Sequence, residues 1–224
     1  GDVYKRQRRC RVQQGPGCTQ GLAELGIAAT DIRNLLITHS HADHIGGLEE
    51  IALMGRYVTK RKPVMIINET YEHILWDMSL RGGCGYNEEE ASQFLSFSDF
   101  FDIIRPRILP EFPRETFAAS VGGIAVKMMR TKHIPDSSSD WQSSFWSCGV
   151  IIDDRVLFTS DTRYDPELVV LYDRLFNFEA IFHDCQFFTG GVHAGIEELR
   201  ALPDEIKRKL YLKIQFPFNF IRKG

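Results

Sequence analysis

The chain has 224 residues, 43% hydrophobic and 25% charged, an ordinary globular composition that excludes a disordered or fibrous protein. Its 27 lysines and arginines against 30 acids give a net charge of -3, so it is not held on nucleic acid by a broad basic field. No apolar run approaches the roughly 18 residues of a membrane span, and the basic stretch 1–20 lacks the apolar core of a secretory signal. Five cysteines (Cys10, Cys18, Cys84, Cys148, Cys185) are scattered and never spaced C-x-x-C. That argues against a disulfide framework or a cysteine zinc site and favours a reducing cytoplasm.

In chain order, residues 1–19 show no periodicity and read as a disordered tail or a non-native start. One domain is expected over 20–216, with a tail at 217–224. Leu22, Leu25 and Ile27 fit a short helix, and 34–38 is an apolar run of strand length. Leu48, Ile51 and Ala52 repeat at helical spacing within 44–56. A strand is expected at 64–67 and a helix at 69–79, with a break at Gly82-Gly83-Cys84-Gly85. Three glutamates in a first turn predict a short helix over 87–95. Phe94, Phe97, Phe100 and Phe101 read as core or interface aromatics. Strands follow at 123–131, 145–152 and 155–160, the last two flanking an Asp153-Asp154 hairpin. Then come a helix at 165–176, a strand at 180–183, a helix at 196–202 and a strand at 210–216. The mixture predicts sheets that are not a simple parallel wind.

The informative stretch is Thr38-His39-Ser40-His41-Ala42-Asp43-His44, on the turn between a buried strand and a helix. Alternate positions His39 and His41 point the same way, and after the bend Asp43 and His44 can face a second point. Three imidazoles and a carboxylate in six residues suit a borderline cation such as Zn(II). The plain alternative is a polar helix cap with incidental histidines. Two distant residues weigh against it: His133 and Asp161 each end a strand, where residues far apart in sequence converge.

This H-x-H-x-D-H run, followed by a distant His and then an Asp, resembles the metallo-β-lactamase superfamily over about 22–212. The resemblance implies an α/β fold of four layers, an αββα sandwich with a metal pair at one edge. It implies that His39, His41 and His133 hold one ion, Asp43 and His44 a second, and that Asp161 bridges both. Zn(2+), two per chain in the family, is the implied metal, with Mn(2+) an alternative. The superfamily's last histidine belongs near 212–215, where the nearest polar candidate is Gln215, a poor ligand for zinc, and its upstream strands are not supplied by 1–19. The sandwich is therefore expected to be incomplete at both termini, with a weakly occupied second ion and a destabilised edge.

Beyond the ligands, Phe182-His183-Asp184-Cys185-Gln186, then Gly191-Val192-His193-Ala194, then Glu197-Glu198-Leu199 resemble ribonuclease Z-like phosphodiesterases that hydrolyse cyclic nucleotides, the anti-Pycsar enzymes of phages and bacteria included. That resemblance implies Asp184 and His193 as a proton-donating pair, Asp standing where ribonuclease Z has Glu, with Asp43 among the catalytic residues as well as the ligands. The implied activity is hydrolysis of cyclic nucleotides by a metal-activated hydroxide. Two readings stay open beside it: a tRNA 3′-end endonuclease and a catalytically impaired nucleotide-binding module. The net charge and the lack of a basic glycine-rich arm favour a small nucleotide over structured RNA. Trp141, Phe145 and Trp146 are more simply packing than base-stacking groups. Relatives imply a homodimer, for which the Phe-rich segment 94–101 offers apolar surface.

Overall fold

The structure, a computed structural model, describes residues 18–214. The tail expected at 217–224, Gln215 with the end of the last expected strand, and all but the last two residues of the expected 1–19 tail lie outside them. Cys18 already opens a helix. The chain divides into two compact units, Gly1–Pro106 and Arg107–Gly224, each mixing helix and strand.

In the first unit, β1 (Asn34–Leu36), β2 (Val64–Ile66) and β3 (Asp102–Ile104) form a parallel sheet in that order. Leu35 pairs with Met65, and Met65 with Ile103. Parallel neighbours need long crossovers, and helices supply them. After α1 (Cys18–Glu24), β1 leads into α2 (Ala42–Ile45) and α3 (Leu48–Leu53), which continues as a π turn. β2 leads into α4 (Glu69–Leu75), capped by the Asn68 side chain on the Tyr71 N–H at 2.8 Å. Leu48, Ile51, Met65, Leu75, Phe97, Phe100 and Phe101 are buried together as this unit's core. Phe94, expected with those aromatics, is 65% exposed.

Two expectations fail here for local reasons. The glycine cluster does not break the chain, because residues 81–84 form one more helical turn, α5 (Arg81–Cys84). Gly83 lies so close to α3 that a Cβ would collide with the Glu49 carboxylate, so its smallness serves packing. Residues 87–95 are not helical. Asn87 Oδ1 accepts from the Glu89 and Glu90 N–H groups at 2.9 and 3.3 Å, and an Asx turn takes the place of the first helical turn. Tyr86 and Phe94 then form a bridge, before α6 (Phe97–Phe100).

The second unit holds a seven-stranded sheet ordered β10-β9-β8-β7-β6-β5-β4. β4 (Arg107–Ile108), β5 (Thr116–Val121), β6 (Ile124–Arg130), β7 (Cys148–Ile152) and β8 (Val156–Phe158) pair antiparallel. β9 (Ala180–Cys185) and β10 (Leu210–Ile214) continue parallel to β8. Asp153 and Asp154, with φ of 49° and 57°, make the tight turn of the expected β7–β8 hairpin. Strands β3, β4 and β5 are additions to the expected set. α7 (Pro166–Phe176) starts at an N-cap, Asp165, that accepts from the Leu168 N–H, and ends at left-handed Asn177. Leu168, Val169 and Tyr172 from α7 pack with Met129, Ile151, Leu157 and Ile181 from the sheet. Leu199 of α8 (Ile196–Arg200) and Ile206 of α9 (Asp204–Lys207), an unexpected short helix, close that core. No helix among the described residues is long and apolar enough to cross a membrane.

Candidate functional site

In the first unit, His39, His41, Asp43 and His44 occupy the turn from β1 into α2, with His41 extended at the helix N-cap. His39 is buried. The Thr38 hydroxyl lies 3.2 Å from His39 Nδ1 and 3.3 Å from His44 Nδ1, so both rings are oriented by one group with a single proton to give. That leaves two separate donor pairs. His39 Nε2 faces His41 Nδ1 at 3.0 Å, and His44 Nε2 faces Asp43 Oδ2 at 3.5 Å. Two nitrogens bound to one tetrahedral zinc at its usual bond length sit about 3.3 Å apart, close to the first pair's spacing.

In the second unit, parallel pairing gathers strand ends. β8 stops at Phe158, and Ser160, buried with φ 56°, turns the chain so that Asp161 follows. A non-glycine residue in the left-handed region is held there by its surroundings. The Thr162 hydroxyl and the Arg163 N–H both bond Lys132 O, at 3.2 and 2.7 Å, which ties this loop to the segment bearing His133. The Thr162 N–H donates to Asp184 Oδ2 at 3.1 Å, and the Asp184 N–H donates to Thr159 Oγ1 at 3.2 Å, fixing the end of β9 against the end of β8.

His193 arrives on the loop after β9, where Gly190 and Gly191 take φ of 88° and 84°. Its Nδ1 lies 2.6 Å from Asp184 Oδ2 and 4.0 Å from Asp161 Oδ2. Burial disfavours protonated His193. The Asp184 hydrogen bond and charge, helped by Asp161, outweigh that and raise its pKa above the ordinary value. His133 Nδ1 donates to Val192 O at 2.8 Å, since a carbonyl can only accept, and in the neutral ring Nε2 is then the lone-pair nitrogen. The two rings lie 5.3 Å apart, centre to centre.

The residues of this unit fit a divalent cation. Asp161, Asp184 and His193 bring ligand-type atoms within 4.8 Å of one another. Both carboxylates are at most 2% exposed. Asp184 Oδ1 is buried and accepts no hydrogen bond. Imidazole nitrogen with carboxylate oxygen is the donor set of zinc, manganese and iron.

Each sequence-singled residue therefore falls in one of two quartets: His39, His41, Asp43 and His44 in the first unit, His133, Asp161, Asp184 and His193 in the second. Sequence reasoning missed Thr38 and Ser160 as orienting residues and Lys213, whose Nζ contacts Asp161 Oδ1 at 2.7 Å. Trp146 packs on the Arg130 guanidinium, 4.7 Å from the ring centre, consistent with a packing role. Trp141 lines a cleft of about 340 Å³ with Arg114 and Lys132, while Phe145 is exposed.

Residues 4–215 match the family model described as "Anti-Pycsar protein Apyc1". A protein of that name from Bacillus phage BSP38 is 36% identical over 201 residues, covering 88% of this chain and 74% of the relative. The metallo-β-lactamase fold protein YhfI from Bacillus subtilis superposes with a TM-score of 0.59 at 14% identity, over 90% of this chain and 73% of its own. The short form of human tRNase Z gives a TM-score of 0.56 at 15% identity, covering 91% and 83%. The expected metallo-β-lactamase fold is thereby borne out.

Proposed function

The chain belongs to the anti-Pycsar protein Apyc1 family, and from that footing we propose that it is a metal-dependent phosphodiesterase that opens cyclic nucleotides. The observation that carries the reading is the short His193–Asp184 contact, 2.6 Å with the carboxylate fully buried. An imidazole kept cationic beside a buried carboxylate is suited to protonating a leaving oxygen.

On the family's sequence pattern, His39, His41 and His133 would hold one divalent ion and Asp43 and His44 another, with Asp161 common to both. Such an ion, when bound, supplies Lewis acidity to a phosphoryl oxygen and makes water acidic enough to serve as the nucleophile near neutral pH. The chain's own residues supply the proton. Asp184 holds His193 through Nδ1, which leaves Nε2–H to be delivered. As the water oxygen gives up a proton to solvent and bonds to phosphorus, the bond from phosphorus to a ribose oxygen breaks and the Nε2 proton moves to that oxygen. The products are a linear nucleotide monophosphate and a neutral imidazole. The His133–Val192 bond steadies the loop on which His193 rides. Zinc or manganese as the ion, a second copy of the chain as partner and a cytoplasmic setting belong to the same reading.

The test is chromatography of 3′,5′-cyclic nucleotides incubated with the full chain and Zn(II) or Mn(II). Linear monophosphate is expected, lost on chelation and restored by metal. Faster cleavage of a precursor tRNA would transfer the activity to RNA ends. Nucleotide binding without turnover at saturating metal would make the chain a binding module.

A further inference from the structure

Strands β8, β9 and β10 run parallel; Asp161 follows the turn after β8, while Asp184 and Lys213 lie near the ends of β9 and β10. Lys213 pairs in register with Asp184, and its side chain passes over β9 to reach Asp161, Nζ to Oδ1 at 2.7 Å. Asp161 is 2% exposed and the lysine side chain about a third exposed. We infer that the Lys213 ammonium takes the place of one of the two divalent ions, so that the chain holds a single one. The inference rests on the metal reading above and specifies how many ions the centre takes.

The chemistry is one of competition for a carboxylate. An ammonium has three donors and no lone pair, so it neutralises Asp161 without ligating anything. A carboxylate can serve two ions most simply by giving an oxygen to each, and a cation already on one oxygen competes for that place. Here Oδ1 is engaged by Lys213, and Oδ2 is the oxygen toward His193, 4.0 Å from its Nδ1. A divalent ion at Oδ1 would have to displace the ammonium or lie within a few ångströms of a like charge. The superfamily pattern asks for a neutral imidazole in this stretch of strand; a cation here replaces a ligand for metal with a rival to it.

Mn(II) titration of the full chain decides it, read by elemental analysis and by electron paramagnetic resonance, which separates an isolated Mn(II) from a coupled pair. Wild type is expected to saturate at one isolated ion per chain. Lys213→Met and Lys213→His, checked for folding by thermal melting, are expected to take up a second ion at least about tenfold more tightly than wild type, with a coupled spectrum. Two ions in the wild type, which needs no variant to measure, would overturn the inference. So would a single ion in both variants once folded. A wild type that binds no ion at all would overturn the metal reading itself and this inference with it.

Discussion

Replacing Asp184 by asparagine keeps the shape of the side chain and removes its charge, which isolates what the carboxylate does for His193. Asp184 Oδ2 receives two hydrogen bonds, from His193 Nδ1 at 2.6 Å and from the Thr162 N–H at 3.1 Å. A hydrogen bond to a charged partner contributes about 1.5–3 kcal/mol, roughly twice a neutral one. The amide oxygen can still accept from Thr162, so the protein should fold, and less negative charge beside Asp161 offsets part of any loss. The imidazolium, however, loses its counter-charge, and the His193 pKa falls back. A positioned general acid contributes about 10²–10⁴ in rate. Asp184→Asn is therefore expected to lower kcat for a cyclic nucleotide about 10²-fold, or about 2.7 kcal/mol, with KM little changed. His193→Ala should cost at least as much, and the double variant no more than His193→Ala alone, because the pair acts as a unit. A p-nitrophenyl phosphodiester, whose leaving group departs without a proton, should be spared in all three. Asp184 and His193 do not act as a proton-donating pair if both single variants stay within tenfold of wild type, if their losses multiply, or if the activated ester suffers equally.

Three further outcomes follow from burial. Arg114 Nη1 meets Asp165 Oδ2 at 2.9 Å with both side chains nearly inaccessible, and Asp165 also caps α7. Arg114→Met should lower stability in urea by about 3–5 kcal/mol by leaving a buried charge unpaired, and a loss under 1 kcal/mol would show the pair is solvated. Burial pushes the Cys84 thiol up to about 11, with Glu49 adding to it, and pushes Cys148 up to about 12. Neither should be alkylated by iodoacetamide at pH 8 until the chain unfolds, as peptide mapping would reveal. Burial also holds His183 below its ordinary 6.5, with Nδ1 on Asp184 O and Nε2 without a partner. Above pH 6.5 both folded and unfolded chains carry the ring neutral. Below it the unfolded chain takes up a proton that the folded chain refuses, so stability falls, by at most about 1.4 kcal/mol per pH unit from this group. His183→Gln should flatten that slope between pH 7.5 and 5.5, and an unchanged slope would count against it.

The clustering of His39, His41, Asp43 and His44 was legible because four ligand-type residues within six positions leave little geometric freedom. His133 and Asp161 were legible as candidates from their places at strand ends, which periodicity locates. The meeting of Asp184 with His193 does not follow from spacing: it depends on a loop turned by two left-handed glycines, and only resemblance to relatives suggested it. Lys213 passed unnoticed because a lysine on an edge strand ordinarily faces water. The missed β5 had a readable sign, since Gly122-Gly123 joins Val121 to Ile124 as a two-residue hairpin turn, but its run Thr-Phe-Ala-Ala-Ser-Val alternates too weakly to announce a strand. Residues 87–95 misled because acids in a first turn suggest a helix, while Asn87 offered the backbone a closer acceptor.

The parallel run of β8, β9 and β10 also bears on how the sheet finds its alignment. Side chains along a strand alternate faces, so sliding β9 by a single position would present His183 or Cys185 where Asp184 now meets Thr162 and His193. Buried neighbours such as Ile181 and Leu157 resist such a slip, and a misplaced carboxylate would in addition leave the His193 imidazole and a backbone amide without their shared acceptor. The same atoms that would do chemistry thus act as a proofreader of assembly, and a ligand that grips them would reward the correctly threaded sheet over its near misses.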